Sequence, residues 1–366
     1  MRRSSLMAVA LAAVLMVSCK GSSLFMEYPQ VFAHRGCWIE NYIPENSLDG
    51  VEMAARYGYP TTECDVRLTA DSVHVLMHDP RINRTMRNAS DYSEIIPKTY
   101  VKDLTLAQLR EGYVLASEDP SCRKPIPTFK EYLQKCAECG IKPILHCDIF
   151  SGYVEAQELA GSNWIAFSTE YDVLLKVREM NPDVLILYAI DKMEGDKTPE
   201  EVIAKLEAIG GRVGISSMNR NDQRAEMCSA LRAKGYEVQS SIVPAPHDMA
   251  ATKNGVTILL TDFAWFQTEG RRPVAKFIEN ASYVAEGASF EHTWDEMEYG
   301  AIVVKVCCKG EYELTVNGSR TYTISHDKKD TELVGIRFYK TAPSISLKCL
   351  KDGGSVKEIK AEVYSL

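Results

Sequence analysis

Between Gln30 and Trp265 one pattern constrains the fold of this chain more than any other: a short run rich in β-branched residues, then a helical stretch, repeated along the segment. The runs begin near Val31, Thr62, Lys142, Trp164, Val184, Val213, Glu237 and Thr257. The helices between them carry their own punctuation. Thr198-Pro199-Glu200-Glu201 sets a capping hydroxyl, a first-turn proline and acidic residues at a helix start; Gly210-Gly211 closes that helix and Gly235 the next. Eight strands alternating with helices in roughly 240 residues predict a closed (β/α)8 barrel, a TIM barrel, over an open doubly wound sheet. No G-x-G-x-x-G follows the first run, which also counts against a dinucleotide fold.

One run breaks the alternation. Val73 to Met77 follows Thr62 to Leu68 after only Thr69-Ala70-Asp71-Ser72, which leaves no room for a helix. The second strand is therefore expected to fold back as a hairpin and return His78 to the barrel rim. After Pro273 the period changes. Alternating runs at Ile302 to Val306, Tyr312 to Val316, Thr321 to Ile324, Val334 to Tyr339, Ile345 to Leu347 and Val356 to Tyr364 are separated by Asn317-Gly318, Asp327-Lys328 and Asp352-Gly353-Gly354. They predict a small C-terminal antiparallel β-sandwich. At 366 residues the chain is long enough for both, with the barrel expected over 29–270 and the sandwich over 271–366.

Residues 1–18 combine Arg2 and Arg3 with an apolar run from Leu6 to Val17, too short to span a bilayer and laid out as a secretory signal. The segment resembles a bacterial lipoprotein leader in which Leu15-Met16-Val17-Ser18-Cys19 is the lipobox and Cys19 the lipidated N-terminus. Residues 19–28 would then tether an exported body to a membrane surface, periplasmic or at the cell exterior. Export permits disulfides, yet the cysteine spacing demands none. Cys136 and Cys139 lie late in a helix opened by the capping box Thr128 to Glu131 and closed by Gly140, where they read as packing residues. Lys plus Arg 42 against Asp plus Glu 50 gives a net charge of −8, so no broad basic field exists for nucleic acid.

In a barrel of this kind the reactive groups belong at the C-terminal strand ends and the loops after them. The first strand ends in Ala33-His34-Arg35-Gly36, with Pro44-Glu45-Asn46-Ser47 in the following loop. The second carries Glu63 and Asp65, whose i, i+2 spacing points both carboxylates the same way. The fold-back ends at His78-Asp79, and the third counted strand ends in His146-Cys147-Asp148-Ile149-Phe150. Glu63, Asp65 and Asp148 would form an oxygen-rich pocket for a hard divalent cation, calcium or magnesium. With His34 and His78 to move protons and the Arg35 fork to hold phosphate oxygens, the set suffices to cleave a phosphodiester. Each residue also has a plainer reading. His34 taken alone fits a satisfied core histidine, Asn46-Ser47 a helix cap, and Asp262 a loop-ordering residue.

These residues resemble the glycerophosphodiester phosphodiesterases. The resemblance runs through His34-Arg35-Gly36, Pro44-Glu45-Asn46-Ser47, Glu63-Cys64-Asp65-Val66, Thr69-Ala70-Asp71, Val75-Leu76-Met77-His78-Asp79, Asn83-Arg84-Thr85, Ile126-Pro127-Thr128-Phe129 and Thr261-Asp262. It implies a (β/α)8 barrel, a divalent metal held by positions matching Glu63 and Asp65, and acid and base roles for His34 and His78. A glycerol hydroxyl would attack phosphorus through a cyclic phosphate. The third ligand strand departs from the family's Glu-hydrophobic-Lys, offering Asp148-Ile149-Phe150, and Ser240-Ser241 stands where the family has a Trp. Asp148 is expected to ligate in place of glutamate, and Phe150 to present an apolar wall to the substrate.

The expected activity is metal-dependent hydrolysis of a glycerophosphodiester, or a related phospholipid-derived molecule, to glycerol phosphate and an alcohol. Two alternatives remain: a phospholipase D-like lyase acting on intact phospholipid, and a surface binding protein that keeps the pocket without turnover. All candidate residues precede the β-domain, so the barrel segment is expected to carry the chemistry alone.

Overall fold

A computed structural model describes residues 30–190, 198–217, 223–240, 256–262, 272–279, 285–318 and 320–365. The leader with Cys19, the tether, Ser241 and the domain junction near 270 lie outside the described residues.

The chain enters β1 (Gln30–Ala33), then α1 (Leu48–Arg56), whose N-cap Ser47 accepts a hydrogen bond from Gly50 N. Next come β2 (Thr61–Leu68) and β3 (His74–Leu76), antiparallel, with Val66 opposite Leu76. This is the expected hairpin. Met77 N donates to Asp65 O at 3.0 Å and the Arg67 guanidinium to His78 O, which brings His78 back to the rim. An excursion outside the alternation follows, with β4 (Met86–Asn88), α2 (Leu106–Gly112) and β5 (Tyr113–Leu115) built on an apolar cluster of Ile82, Met86, Leu109 and Leu115.

Regular alternation then resumes with α3 (Phe129–Cys139), β6 (Lys142–His146), α4 (Phe150–Ala160), β7 (Ile165–Ser168), α5 (Tyr171–Met180) and β8 (Leu185–Ala189). It ends with α6 (Pro199–Ile209), β9 (Val213–Ser217), α7 (Gln223–Ala233), β10 (Glu237–Ser240) and β11 (Ile258–Thr261). The parallel order β1-β11-β10-β9-β8-β7-β6-β2 closes where Ala33 pairs with Thr62, giving the eight-stranded barrel. Alternate residues fill it. Phe32, Ile144, Phe167, Leu187 and Leu260 pack inside, while Cys64, Leu145, Ala166, Ile186 and Val238 face the helices. Both faces are buried, which is why the strands read as unbroken apolar runs.

The C-terminal domain comprises β12 (Ala275–Glu279), β13 (Ser289–Thr293), β14 (Met297–Val316), β15 (Arg320–Thr341), β16 (Ser344–Cys349) and β17 (Ser355–Ser365). It is antiparallel as expected, but all six strands join one sheet in the order β12-β17-β14-β16-β13, with β15 also on β14. The sheet rolls until its edges meet, Phe277 of β12 stacking on Phe290 and His292 of β13 at 5.5 and 4.5 Å. Four runs that the sequence separates are halves of two long strands. β15 passes straight through Asp327-Lys328, read as a turn, and β14 absorbs the break as a register shift between Cys308 and Gly310, where Gly310 has φ 113°.

The two domains are packed together. Ala301 joins the apolar cluster of Cys37, Ile39, Ile43, Met53 and Tyr57, with Tyr299 and Tyr339 against it. The Tyr57 hydroxyl donates to Gly300 O at 2.7 Å.

Candidate active site

The site sits where β1, β2, β6 and β11 end. Glu63 and Asp65 alternate with the helix-facing Cys64 and so point into the barrel; they are 1% and 4% exposed. Register places Asp65 beside His146 at the end of β6. His146 Nδ1 donates to Asp65 Oδ1 at 2.9 Å and lies 3.9 Å from Glu63 Oε1, and its ring stacks on Phe167 with centroids 4.3 Å apart. Ligating atoms of Glu63, Asp65 and His146 lie within 4.8 Å of one another.

Two neighbouring carboxylates in a closed interior repel unless positive charge stands between them. Burial, with Asp65 alongside, pushes the Glu63 carboxyl above the usual carboxylate range. Asp65 is held the other way: against burial, the hydrogen bond and charge of His146 and the Arg35 guanidinium keep it far below the usual carboxylate range. Asn46, read as part of a helix cap, instead brackets Asp65. Its Nδ2 donates to Asp65 Oδ2 and its Oδ1 accepts from Asp65 N, both at 2.9 Å, from a left-handed backbone at φ 54°.

Arg35 also has positive φ, 50°, which turns its N–H onto Glu63 Oε2 at 2.8 Å. Its Nη1 donates to Glu45 at 3.2 Å, and its Nε stands at ion-pair distance from Asp65 Oδ2, 3.3 Å, without hydrogen-bond geometry. Gly36, at φ 79°, lets this turn lie against Gly50, whose backbone a Cβ would meet at 3.1 Å.

Each candidate proton carrier has its own carboxylate. His34 Nδ1 donates to Asp262 Oδ1 at 2.9 Å, and Trp38 Nε1 donates to the same oxygen at 2.6 Å. His78 Nδ1 donates to Asp79 Oδ1 at 2.7 Å, and Arg84 joins Asp79 to Glu45. The two environments differ. For His34, burial opposes protonation, but the charge and hydrogen bond of Asp262, aided by Glu63, outweigh it and raise the pKa above the usual imidazole value. For His78, burial prevails over Asp65 and Asp79 and lowers it. Asp262 is itself held down to about 2, against burial, by His34, Arg337 and Trp38.

Two expected site residues stand elsewhere. Asp148 lies outside the carboxylate–imidazole cluster. Its Oδ1 is taken by Ser168 Oγ, Thr169 N and Thr169 Oγ1 at 2.7 to 3.0 Å, so it orders the loop after β7. Phe150 opens α4, and its half-buried ring packs against the apolar cluster between barrel and helices. Among the described residues the third member of the cluster with Glu63 and Asp65 is His146. Its same-side spacing with Asp148 was a visible signal, but spacing alone does not tell which of the two sits at the depth of Glu63 and Asp65. Asp262, read as a loop residue, is the partner of His34. A cleft of about 500 Å³ lined by Trp38, Tyr42, Glu45, Arg84, Tyr92 and Arg123 opens beside the site.

Residues 34–264 match the model of the glycerophosphoryl diester phosphodiesterase family. The chain belongs to that family. It is 29% identical over 167 residues to glycerophosphodiester phosphodiesterase 1 of Mus musculus, across 42% of this chain and 46% of that protein. It therefore spans less than half the length of that curated relative. Among solved structures, an Oleispira antarctica phosphodiesterase in complex with the product sn-glycerol-3-phosphate superposes with a TM-score of 0.53 at 20% identity, over 64% of this chain and 93% of that one. A glycerophosphodiester phosphodiesterase from Parabacteroides distasonis gives 0.52 at 20%, over 66% and 97%. At such identities these likenesses establish the fold, the closed barrel.

Proposed function

We propose that this chain is a metal-dependent phosphodiesterase that splits a glycerophosphodiester into glycerol phosphate and an alcohol. The observation that carries the reading is the pair of carboxylate-backed imidazoles, one raised and one lowered in pKa, on a rim that also holds a buried carboxylate pair. Family membership and the product named for the Oleispira antarctica structure agree with it.

Two buried carboxylates and an imidazole make a donor set that fits a divalent cation, with Glu63, Asp65 and His146 as its holders; the two carboxylates suit calcium or magnesium, and the imidazole also admits a transition ion. Such a cation supplies charge neutralisation at a phosphoryl oxygen. This chain's own groups do the rest. With Nδ1 committed to Asp79, neutral His78 offers Nε2 to take the proton from the glycerol hydroxyl as its oxygen bonds to phosphorus. Protonated His34, Nδ1 on Asp262, gives its Nε2 proton to the alcohol oxygen as the phosphorus–oxygen bond breaks. Water then opens the cyclic phosphate with the roles exchanged, His34 accepting and His78 returning the proton. Arg35 lies at the same rim to pair with a phosphate oxygen. The departing alcohol would leave through the cleft beside Glu45 and Arg84.

Purified protein assayed against a panel of deacylated and intact phosphodiesters, with chelator and with each cation, tests the reading; no ester cleavage in any cation sinks it. The pH profile is a sharper check. Activity needs His78 neutral, so the acid limb should lie below the ordinary imidazole pKa; it needs His34 protonated, so the alkaline limb should lie above it. A profile with both limbs at the ordinary value contradicts the assignment. We also place the protein on a membrane through Cys19, a reading supported by the Leu15 to Cys19 pattern. The mature protein should then begin at a fatty-acylated Cys19, read by mass spectrometry of its N-terminal peptide, and an unacylated N-terminus rejects the anchor.

A further inference from the structure

The β-domain reaches the site. Arg337, opposite Ala301 in the β14–β15 pairing, is 4% exposed, and its guanidinium crosses into the barrel. Nη2 donates to the main-chain oxygen of Asp262 at 2.6 Å, and Nη1 donates to Cys37 Sγ at 2.7 Å. Asp262 is the first residue beyond β11, and Cys37 lies in the loop after β1, three residues past His34. One planar group therefore joins the two strand ends that carry the His34–Asp262 pair.

Docking alone does not call for this arginine. The interface has an apolar cluster and the neutral Tyr57 hydrogen bond to hold it, whereas burying a guanidinium against a carbonyl and a thiol is costly. Burial disfavours its charge, which Cys37, Tyr59 and then Asp262 favour. A cavity of about 280 Å³, lined in part by Trp38, Tyr42, Asp262, Arg337 and Tyr339, adjoins the contact. Asp262 is thus not wedged by packing on that side and depends on its hydrogen bonds for its place.

We infer that Arg337 is a positioning residue for the phosphodiesterase reaction: it clamps the Asp262 main chain to the β1 loop, so that the carboxylate fixes His34 Nδ1 and aims Nε2 at the leaving oxygen. The inference rests on the proposed role of His34. Groups acting on His34 are Asp262 from the end of β11, Glu63 from β2 and Arg35 from its own loop, while Trp38 meets Asp262. Of these, Asp262 is the one Arg337 holds. The site is accordingly shared between the domains, and the barrel segment alone lacks the clamp.

The test uses the full chain with Arg337→Gln, Arg337→Lys and, as a docking control, Tyr57→Phe. Arg337→Gln should lower kcat roughly 10- to 100-fold with KM within about threefold, because misaiming a proton donor costs turnover more than binding. Its alkaline limb, and the His34 titration followed by NMR as the signal absent from His34→Gln, should move about one pH unit down as Asp262 loosens. Arg337→Lys should recover part of both. Tyr57→Phe should lower thermal stability and leave kcat and the limb in place. Wild-type kcat and titration in Arg337→Gln, or the same loss in Tyr57→Phe, overturns the inference. If Arg337→Gln does not fold, Arg337→Lys against Tyr57→Phe decides the question by the same readouts. The NMR titration needs no turnover, so a chain inactive on every diester would reject the proposed activity while the clamp was still judged.

Discussion

Alanine in place of His34 or of His78 is expected to lower kcat by about 10² to 10⁴ with the fold retained, the range for removing a positioned proton carrier. Each ring makes its one described hydrogen bond through Nδ1, to Asp262 and Asp79 respectively, so neither is a main fastener of the core. His74 is the control. It lies on the same fold-back and is 8% exposed, but its Nδ1 meets Glu155 at 2.6 Å and its Nε2 meets Ser151 at 2.9 Å, both on α4. Losing it strands Glu155 and should cost stability, read by denaturant unfolding, rather than turnover per folded molecule. Equal kcat losses in all three variants would show that the histidines act through the fold.

How much of this was legible in the sequence varies with the range of the interaction. The barrel was, because strands buried on both faces leave dense β-branched runs and short helices leave caps such as Thr128 to Glu131 and Thr198 to Glu201. The hairpin that returns His78 was readable from a loop length. The long strands β14 and β15 were not, because a bulge or a polar pair inside a strand has the same local look as a turn. Nor were β12 and β13, whose edges find each other through Phe277 and His292. In the site, residue types were visible and depth was not. His146 and Asp148 share a side, and only the pairing of Asp65 with His146 shows which one joins the carboxylates. Arg337 lies 300 residues from Cys37, beyond the reach of any spacing argument.

That question of depth has an experimental answer in the cation dependence. With Glu63, Asp65 and His146 as holders, a divalent cation at about 100 times its Kd should stabilise the full chain by about 2.7 kcal/mol, a rise in Tm of roughly 5 to 10 °C for a domain of this size. Asp65→Asn should abolish that rise and lower turnover by roughly 10³, since several kcal/mol of charge stabilisation are lost at about 1.4 kcal/mol per factor of ten. His146→Ala should also abolish the rise. It loses stacking on Phe167 too, so the comparison is of Tm with and without cation in each variant, not of the variants with one another. Asp148→Asn should keep the rise, because that carboxylate is engaged by Ser168 and Thr169 and its loss disturbs the loop after β7. The reverse pattern, a rise kept in His146→Ala and lost in Asp148→Asn, would return the third position to Asp148. The cation would then be met by the other carboxylate oxygen, Oδ2, because Oδ1 already accepts from Ser168 Oγ, Thr169 N and Thr169 Oγ1.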